Sequence, residues 1–259
     1  MTPKAILLVL CCVSVQLLTA QGDSQKFKND YLQSEYVSKT EEKQKFLSND
    51  FSKLWTTTSN ENILGFIGTN YQRFYIKFLT VSKDPNNPDT YNVTGKDKVK
   101  TNICDLTGTL KILNIRRNTE MEEIVDNTVK NYCMLISYTL KENPSQKFVG
   151  TFEGIAQCNF YLDAQNKIHY YDPNEVGGDE FGNNGFVGTW KSYDGKYNKP
   201  CNWGDARIPY SGDLDSGAAY FSPDEKYENN GWQNYVASLE YDTPASKKAL
   251  QIEKSAWWK

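Results

Sequence analysis

The sequence predicts a mainly β fold, a single antiparallel β-barrel or sandwich with one N-terminal helix and one short inserted helix. Three observations predict it. From Ile63 onward, apolar and polar residues alternate at a period of two. Turn-forming clusters separate the alternating runs: "DPNNPD" at 84–89, "KENPSQ" at 141–146 and "DAQNK" at 163–167. A short motif also recurs, as "FIGT" at 66–69 and as "FVGT" at 148–151 and 186–189.

The first segment is not part of this pattern. Residues 1–20, "MTPKAILLVLCCVSVQLLTA", place a lysine before an apolar stretch and end on a small residue. That layout is expected of a secretory signal peptide, so the expected location is secreted or periplasmic. Cys11 and Cys12 follow Leu10 rather than the small residue a lipoprotein signal prefers, which favours soluble export over anchoring. Residues 21–60 read as a polar, charged segment leading into an amphipathic helix. Ser38 and Glu41 have capping-box spacing, and Leu47, Phe51, Leu54 and Trp55 recur on one helical face. Residues 61–259 then form the β domain.

Within that domain, Phe74, Ile76 and Phe78 alternate against Tyr75 and Lys77. Leu106, Leu110 and Ile112 share a face, as do Met134, Ile136, Tyr138 and Leu140, and Ala156, Cys158, Phe160 and Leu162. One buried face per strand is the signature of an antiparallel sheet. Between them, "TEMEEIVDNTVKNY" (119–132) carries apolar residues at i, i+3, i+4 and i+7 and reads as the inserted helix. The repeated glycine removes a side chain from a strand, so a neighbouring aromatic can cover it or the sheet can bend, as barrel closure requires. The unequal separations of the copies exclude a solenoid or propeller.

"GTW" at 188–190 resembles the glycine-x-tryptophan strand of the calycins, the lipocalin and avidin barrels. In lipocalins that strand comes first; here it falls late. The resemblance therefore implies a calycin-like barrel shape and nothing about ligands. The leader ending in "TAQ" and the block "GTWKSYDGKYNKPCNWGDARIPYSGDLDSG" are similar to uncharacterised secreted proteins of Bacteroidetes, a resemblance that implies export and carries no activity.

Four cysteines lie beyond the leader: Cys104, Cys133, Cys158 and Cys201. An even number in an exported chain reads as two disulfides with three connectivities, Cys158–Cys201 being the preferred pair, against the alternative of free buried thiols. No C-x-x-C occurs, so neither a zinc ribbon nor a thioredoxin-type pair is expected.

The composition closes several chemistries. A net charge of −3 with scattered lysines does not suit nucleic acid. No apolar run after the leader is long enough for a transmembrane segment. A single histidine, His169, excludes multi-histidine metal sites within one chain, and no G-x-S-x-G, P-loop or G-x-G-x-x-G occurs. No catalytic residue and no metal ligand is assigned, and no cofactor is expected. The one candidate ion is calcium, on the acidic loop at 171–185 with Asp172, Glu175, Asp179 and Glu180, which reads first as a solvated connection.

What remains is binding. Aromatic residues make 14% of the chain, several beside polar partners. Flat rings flanked by Asp, Asn and Arg suit a sugar, and also an ordinary β core. The expected function is binding of a small-molecule or glycan ligand, carbohydrate first, on a rim formed by Trp190, Trp203, Asp205, Arg207, Asp213 and Asp215. Trp203 would stack, and Arg207 with the aspartates would orient hydroxyls. The alternatives are a glycosidase-like hydrolase using paired carboxylates and a structural or host-interaction protein without a small ligand. Arg207 discriminates: paired with an aspartate of its own loop it is structural, and pointed into an aromatic cleft it binds.

Overall fold

Nine antiparallel strands follow one another with few interruptions: β1 (Ile63–Ile67), β2 (Gln72–Lys83), β3 (Thr90–Val99), β4 (Asn102–Arg117), β5 (Lys130–Glu142), β6 (Gly150–Leu162), β7 (Ile168–Tyr170), β8 (Asn183–Ser192) and β9 (Asn198–Asp205). The computed structural model describes residues 22–119, 129–173 and 182–259. The sheet order is β5-β4-β3-β2-β1-β9-β8-β6-β7, and β5 also pairs with β6 over twelve positions. That pairing closes eight strands into a barrel and leaves β7 as a short extra strand on the far end of β6. Closure removes the sheet edges that β5 and β6 would otherwise expose.

The alternation predicted from sequence is the inside–outside alternation of the barrel. Phe74, Ile76 and Phe78 of β2, Leu106, Leu110 and Ile112 of β4, and the even-numbered residues from Tyr132 to Leu140 of β5 all belong to one buried cluster. Aromatic rings dominate it. Trp203 stacks on Phe186 with centroids 4.6 Å apart and meets Tyr138 edge-on at 5.2 Å.

Two of the three repeated glycines do what the motif predicts. A Cβ on Gly188 would lie 2.2 Å from the Tyr138 hydroxyl oxygen, and one on Gly150 would lie 2.9 Å from the Trp190 ring. Each glycine is a strand position covered by an aromatic from a neighbouring row. The first copy differs: Gly68 sits at φ +82° in the turn after β1, where glycine is needed for its backbone conformation.

The N-terminal segment departs from expectation. The stretch expected to be a charged lead-in is a helix, α1 (residues 22–33), laid along the outside of the barrel. Tyr31 anchors it, donating its hydroxyl to the Cys133 carbonyl at 2.9 Å. The expected amphipathic helix shrinks to one turn, α2 (Lys43–Phe46), and a 3-10 turn at Ser52–Trp55. Ser38 and Glu41 form no capping box. Ser38 caps Thr40, and Glu41 accepts the Lys43 and Ile115 amides, which ties the segment to β4 instead. Of the apolar residues expected on one helical face, Phe51, Leu54 and Trp55 reach the core and, with Phe46, plug one end of the barrel, whereas Leu47 is only partly buried.

The inserted helix expected over 119–132 falls mostly outside the described residues, and its last residues, Lys130 to Tyr132, begin β5. The proposed signal peptide and most of the acidic loop at 171–185 also lie outside them. Among the described residues, no helix is long and apolar enough to cross a membrane.

The disulfide expectation is corrected. Cys104, Cys133, Cys158 and Cys201 are all buried, and none forms a disulfide among the described residues. Strand geometry accounts for it. Cys133 faces outward under α1, whereas Cys158 and Cys201 face inward. Cys201 is level with Gly188, and Gly188 with Gly154. Cys158 is four residues further along β6, about 13 Å away at strand rise, which exceeds any disulfide span.

After β9 the chain builds a second small core on the outer face of β1. Leu64 and Phe66 point outward and are covered by Ile208, Leu214, Phe221 and Trp232. Two helices follow, α3 (Gln233–Leu239) and α4 (Pro244–Glu253), the latter opened by a Thr243–Ser246 capping box. Trp257 and Trp258 follow α4 near the end of the sequence. They lie on the outer face of β2 and β3, beside Tyr75, Lys77 and Lys98.

A buried ion pair fastens this layer. Arg73 of β2 meets Glu253 of α4 at 3.4 Å, both side chains nearly inaccessible, with the guanidinium 4.3 Å from the Trp232 ring centre. Glu253→Ala leaves that guanidinium buried without a counter-charge. It should cost about 3 kcal/mol in urea unfolding, whereas Arg73→Leu combined with Glu253→Leu should cost less than the single change.

Candidate functional site

The rim expected from residues 190–215 does not exist as one surface. Trp203 is 3% exposed and belongs to the core, so it is not free to stack on a ligand. Asp205 is buried at the plugged end, where one carboxylate oxygen accepts from the Thr58 hydroxyl at 2.6 Å, the Tyr170 hydroxyl at 2.5 Å and the Asn184 amide at 2.8 Å. Burial raises its pKa to about 6 in spite of those three donors. Arg207 pairs within its own loop: Asp215 at 2.6 Å, the Gly217 carbonyl at 3.1 Å and the Ala218 carbonyl at 2.7 Å. Asp215 also accepts the Gly217 and Ser222 amides, while Asp213 sits apart in solvent with Lys226 and Tyr227. By its own criterion the loop is structural. His169 lies on β7, paired with Asp163 at 2.7 Å and stacked on Tyr161.

Trp190 is different. It ends the inward row of β8 at the open end of the barrel, opposite the plug. Four turns ring this mouth, at 68–71, 100–101, 143–149 and 193–197. A cleft of about 1200 Å³ opens between the last two, lined by Phe148, Trp190, Tyr193, Tyr197 and Lys199 among others. A second recess of about 500 Å³ adjoins it and shares Glu142, Phe148, Trp190 and Lys199. Phe148 stands 81% exposed between them, at φ +57°, a backbone conformation unusual for a bulky residue. The Lys199 ammonium lies 5.8 Å from the Trp190 ring and 5.5 Å from that of Tyr197.

Beneath these aromatics lie three buried groups: Asp97 and Glu142, which the sequence reading passed over, and Cys104, which it assigned to a disulfide. Each lies near the mouth end of an inward row: Asp97 on β3 two residues before Val99, Cys104 on β4 two after Asn102, and Glu142 at the end of β5. Asp97 lies directly opposite Cys104, and Glu142 opposite Leu106. One oxygen of Glu142 accepts the Trp190 indole N–H and the Gly150 amide, both at 2.6 Å. Asp97 Oδ2 is buried and receives no N–H or O–H donor. Burial drives both carboxyl pKa values upward, Asp97 far above its ordinary value, with Glu142 beside it adding repulsion. Each carboxyl therefore favours its protonated form more than an exposed one does. Burial likewise pushes the Cys104 thiol up to about 12.

A signal for this cluster was present. The inward parity of Tyr91 and Val93 continues through Gly95 to Asp97, and that of Met134 to Leu140 continues to Glu142. An acid that keeps the register of a buried row is either a strand end or a site. Parity alone does not show that three such ends meet.

Two outcomes follow from the placement. Trp203→Ala should destabilise the fold by about 3–5 kcal/mol in urea, as a large core deletion does. Asp205, with a folded pKa of about 6 against an ordinary 3.8, binds more protons folded than unfolded between those values. Its contribution to stability therefore falls as pH rises from about 4 to about 6. Between pH 5 and pH 7 the wild type should lose roughly 1 kcal/mol from this group. Asp205→Asn should lack that increment when denaturation midpoints are compared at the two pH values. No family model, curated protein or solved structure matches the chain.

Proposed function

We propose that the protein binds a carbohydrate in the cleft at the barrel mouth. One observation carries the reading: Phe148, Tyr193 and Tyr197 are substantially exposed large aromatics that converge on a single concave surface. Exposed rings grouped around a cleft offer stacking faces for the C–H side of a sugar, a use that scattered surface aromatics do not serve.

The polar groups of the cleft suit the hydroxyl side. Asp194 is held down at about 2, first by the Ser192 hydroxyl and then by the Lys196 amide and ammonium, so it remains an ionised acceptor. Lys199 supplies a donor between Trp190 and Tyr197. The filled interior beneath confines the ligand to the mouth, which favours a terminal or short glycan segment over a deeply enclosed small molecule.

A two-carboxylate hydrolase has less support. The oxygens of Asp97 and Glu142 lie within 4.8 Å of each other, closer than the roughly 5–9 Å over which such pairs work. Of the other acids, Asp205 lies at the opposite end, and Asp213 and Asp215 lie outside the barrel.

Glycan-array binding followed by calorimetry on the best hit tests the proposal. Phe148→Ala and Tyr197→Ala should each weaken affinity about tenfold, equivalent to 1.4 kcal/mol. Arg207→Ala should leave the affinity of the folded protein unchanged. Absence of binding by the wild type, or equal binding by all variants, overturns it.

A further inference from the structure

We propose that Asp97, Cys104 and Glu142 form a three-ligand site for one divalent transition ion, zinc by the chemistry of its donors, at the floor of the barrel mouth. It is independent of the carbohydrate reading, because it uses the buried donors and not the exposed rings.

Convergence is the first observation. One donor atom from each residue lies within 4.8 Å of the other two. Three adjacent strands supply them, with Asp97 and Cys104 directly opposite in register. Ligand atoms around a tetrahedral zinc are roughly 3–4 Å apart, so rotation of the side chains brings the set onto a metal without moving the strands. The second observation is Asp97 itself. It is 2% exposed, and its Oδ2 has no donor. A buried carboxylate oxygen left without a partner costs free energy unless a proton or a cation is bound there.

The donor types select the ion. A thiolate sulfur with two carboxylate oxygens suits zinc or cobalt, whereas calcium and magnesium take oxygen ligands throughout. Asp97 and Glu142 line the 500 Å³ recess, which gives an ion and an exchangeable fourth ligand a path to the donors. The surroundings already hold the ligands in orientation. Trp190 and Gly150 grip Glu142, and the Asn102 amide contacts the Cys104 sulfur at 3.1 Å. Metal uptake releases the thiol proton of Cys104, and any proton the carboxyls carry, to solvent as the dication enters.

Cobalt(II) provides the test, because thiolate coordination gives a charge-transfer band in the near ultraviolet. The intact protein, under a non-thiol reductant, is titrated with Co²⁺ and then with Zn²⁺. One equivalent of Co²⁺ should produce the band, and Zn²⁺ should abolish it. Cys104→Ser should eliminate the band, whereas Cys133→Ser and Cys158→Ser should retain it. Asp97→Asn should weaken Co²⁺ binding by at least tenfold. Far-ultraviolet circular dichroism of each variant shows that the barrel is intact. Phe148→Ala should bind cobalt normally, which separates failure of this site from failure of the glycan cleft. No stoichiometric uptake by the wild type, or a band that survives in Cys104→Ser, overturns the proposal.

Discussion

Closure of the sheet through the β5–β6 pairing governs the rest of the molecule. Once eight strands form a ring, every second residue is committed to an interior shared with seven other strands. A polar side chain there must find its partners inside or at an end. The interior of this barrel is packed with aromatic rings from β2, β5, β6, β8 and β9. These side chains fill its centre, and the clefts of about 1200 and 500 Å³ open at the mouth. The glycines belong to the same economy. Gly150 and Gly188 give up their side chains so that Trp190 and Tyr138 can lie against bare backbone.

The two ends solve the problem of inward polar residues in different ways. At the plugged end Asp205 is surrounded by two hydroxyls and an amide, all aimed at one oxygen, beneath the lid made by Phe51, Leu54 and Trp55. Three donors on one carboxylate oxygen suit a structural acid. At the mouth, two acids and a thiol face one another with donors reaching only part of the cluster. The acid at the sealed end has its donors, and Asp97 Oδ2 at the open end has none. A site for a ligand or an ion belongs where the unmet bonding capacity lies.

Legibility of this structure from sequence followed the range of the interaction. Strand alternation, turns and two of the three glycine roles depend on neighbours along the chain or on one adjacent strand, and these were readable. The stretch at 199–217 was conspicuous in composition; past the end of β9 it is built from turns, with Asp215 accepting the Gly217 and Ser222 amides. Its density of unusual residues signalled rigidity and not function, and Arg207 closing on Asp215 is the physical expression of that. The N-terminal segment misled for a related reason. Ser38 and Glu41 have the spacing of a cap, but the β4 backbone competed for Glu41 and won it. The cysteines misled because parity in number carries no information about which face or level a strand assigns to each.

By itself, the sequence determined the fold class, the inward rows of β2, β4, β5 and β6, the placement of Trp190 in a strand with a glycine two residues before it, and the poverty of histidine and of nucleotide-binding motifs. These are properties of residue type and period, set by the pleat and the helix turn. Tertiary structure alone decided that the sheet closes, that Trp203 is core and Trp190 is at the mouth, and that Asp97, Cys104 and Glu142 meet. Those three lie on separate strands, 7 and 38 residues apart in succession. Only the strand registers and the curvature of a closed barrel bring their side chains to one point.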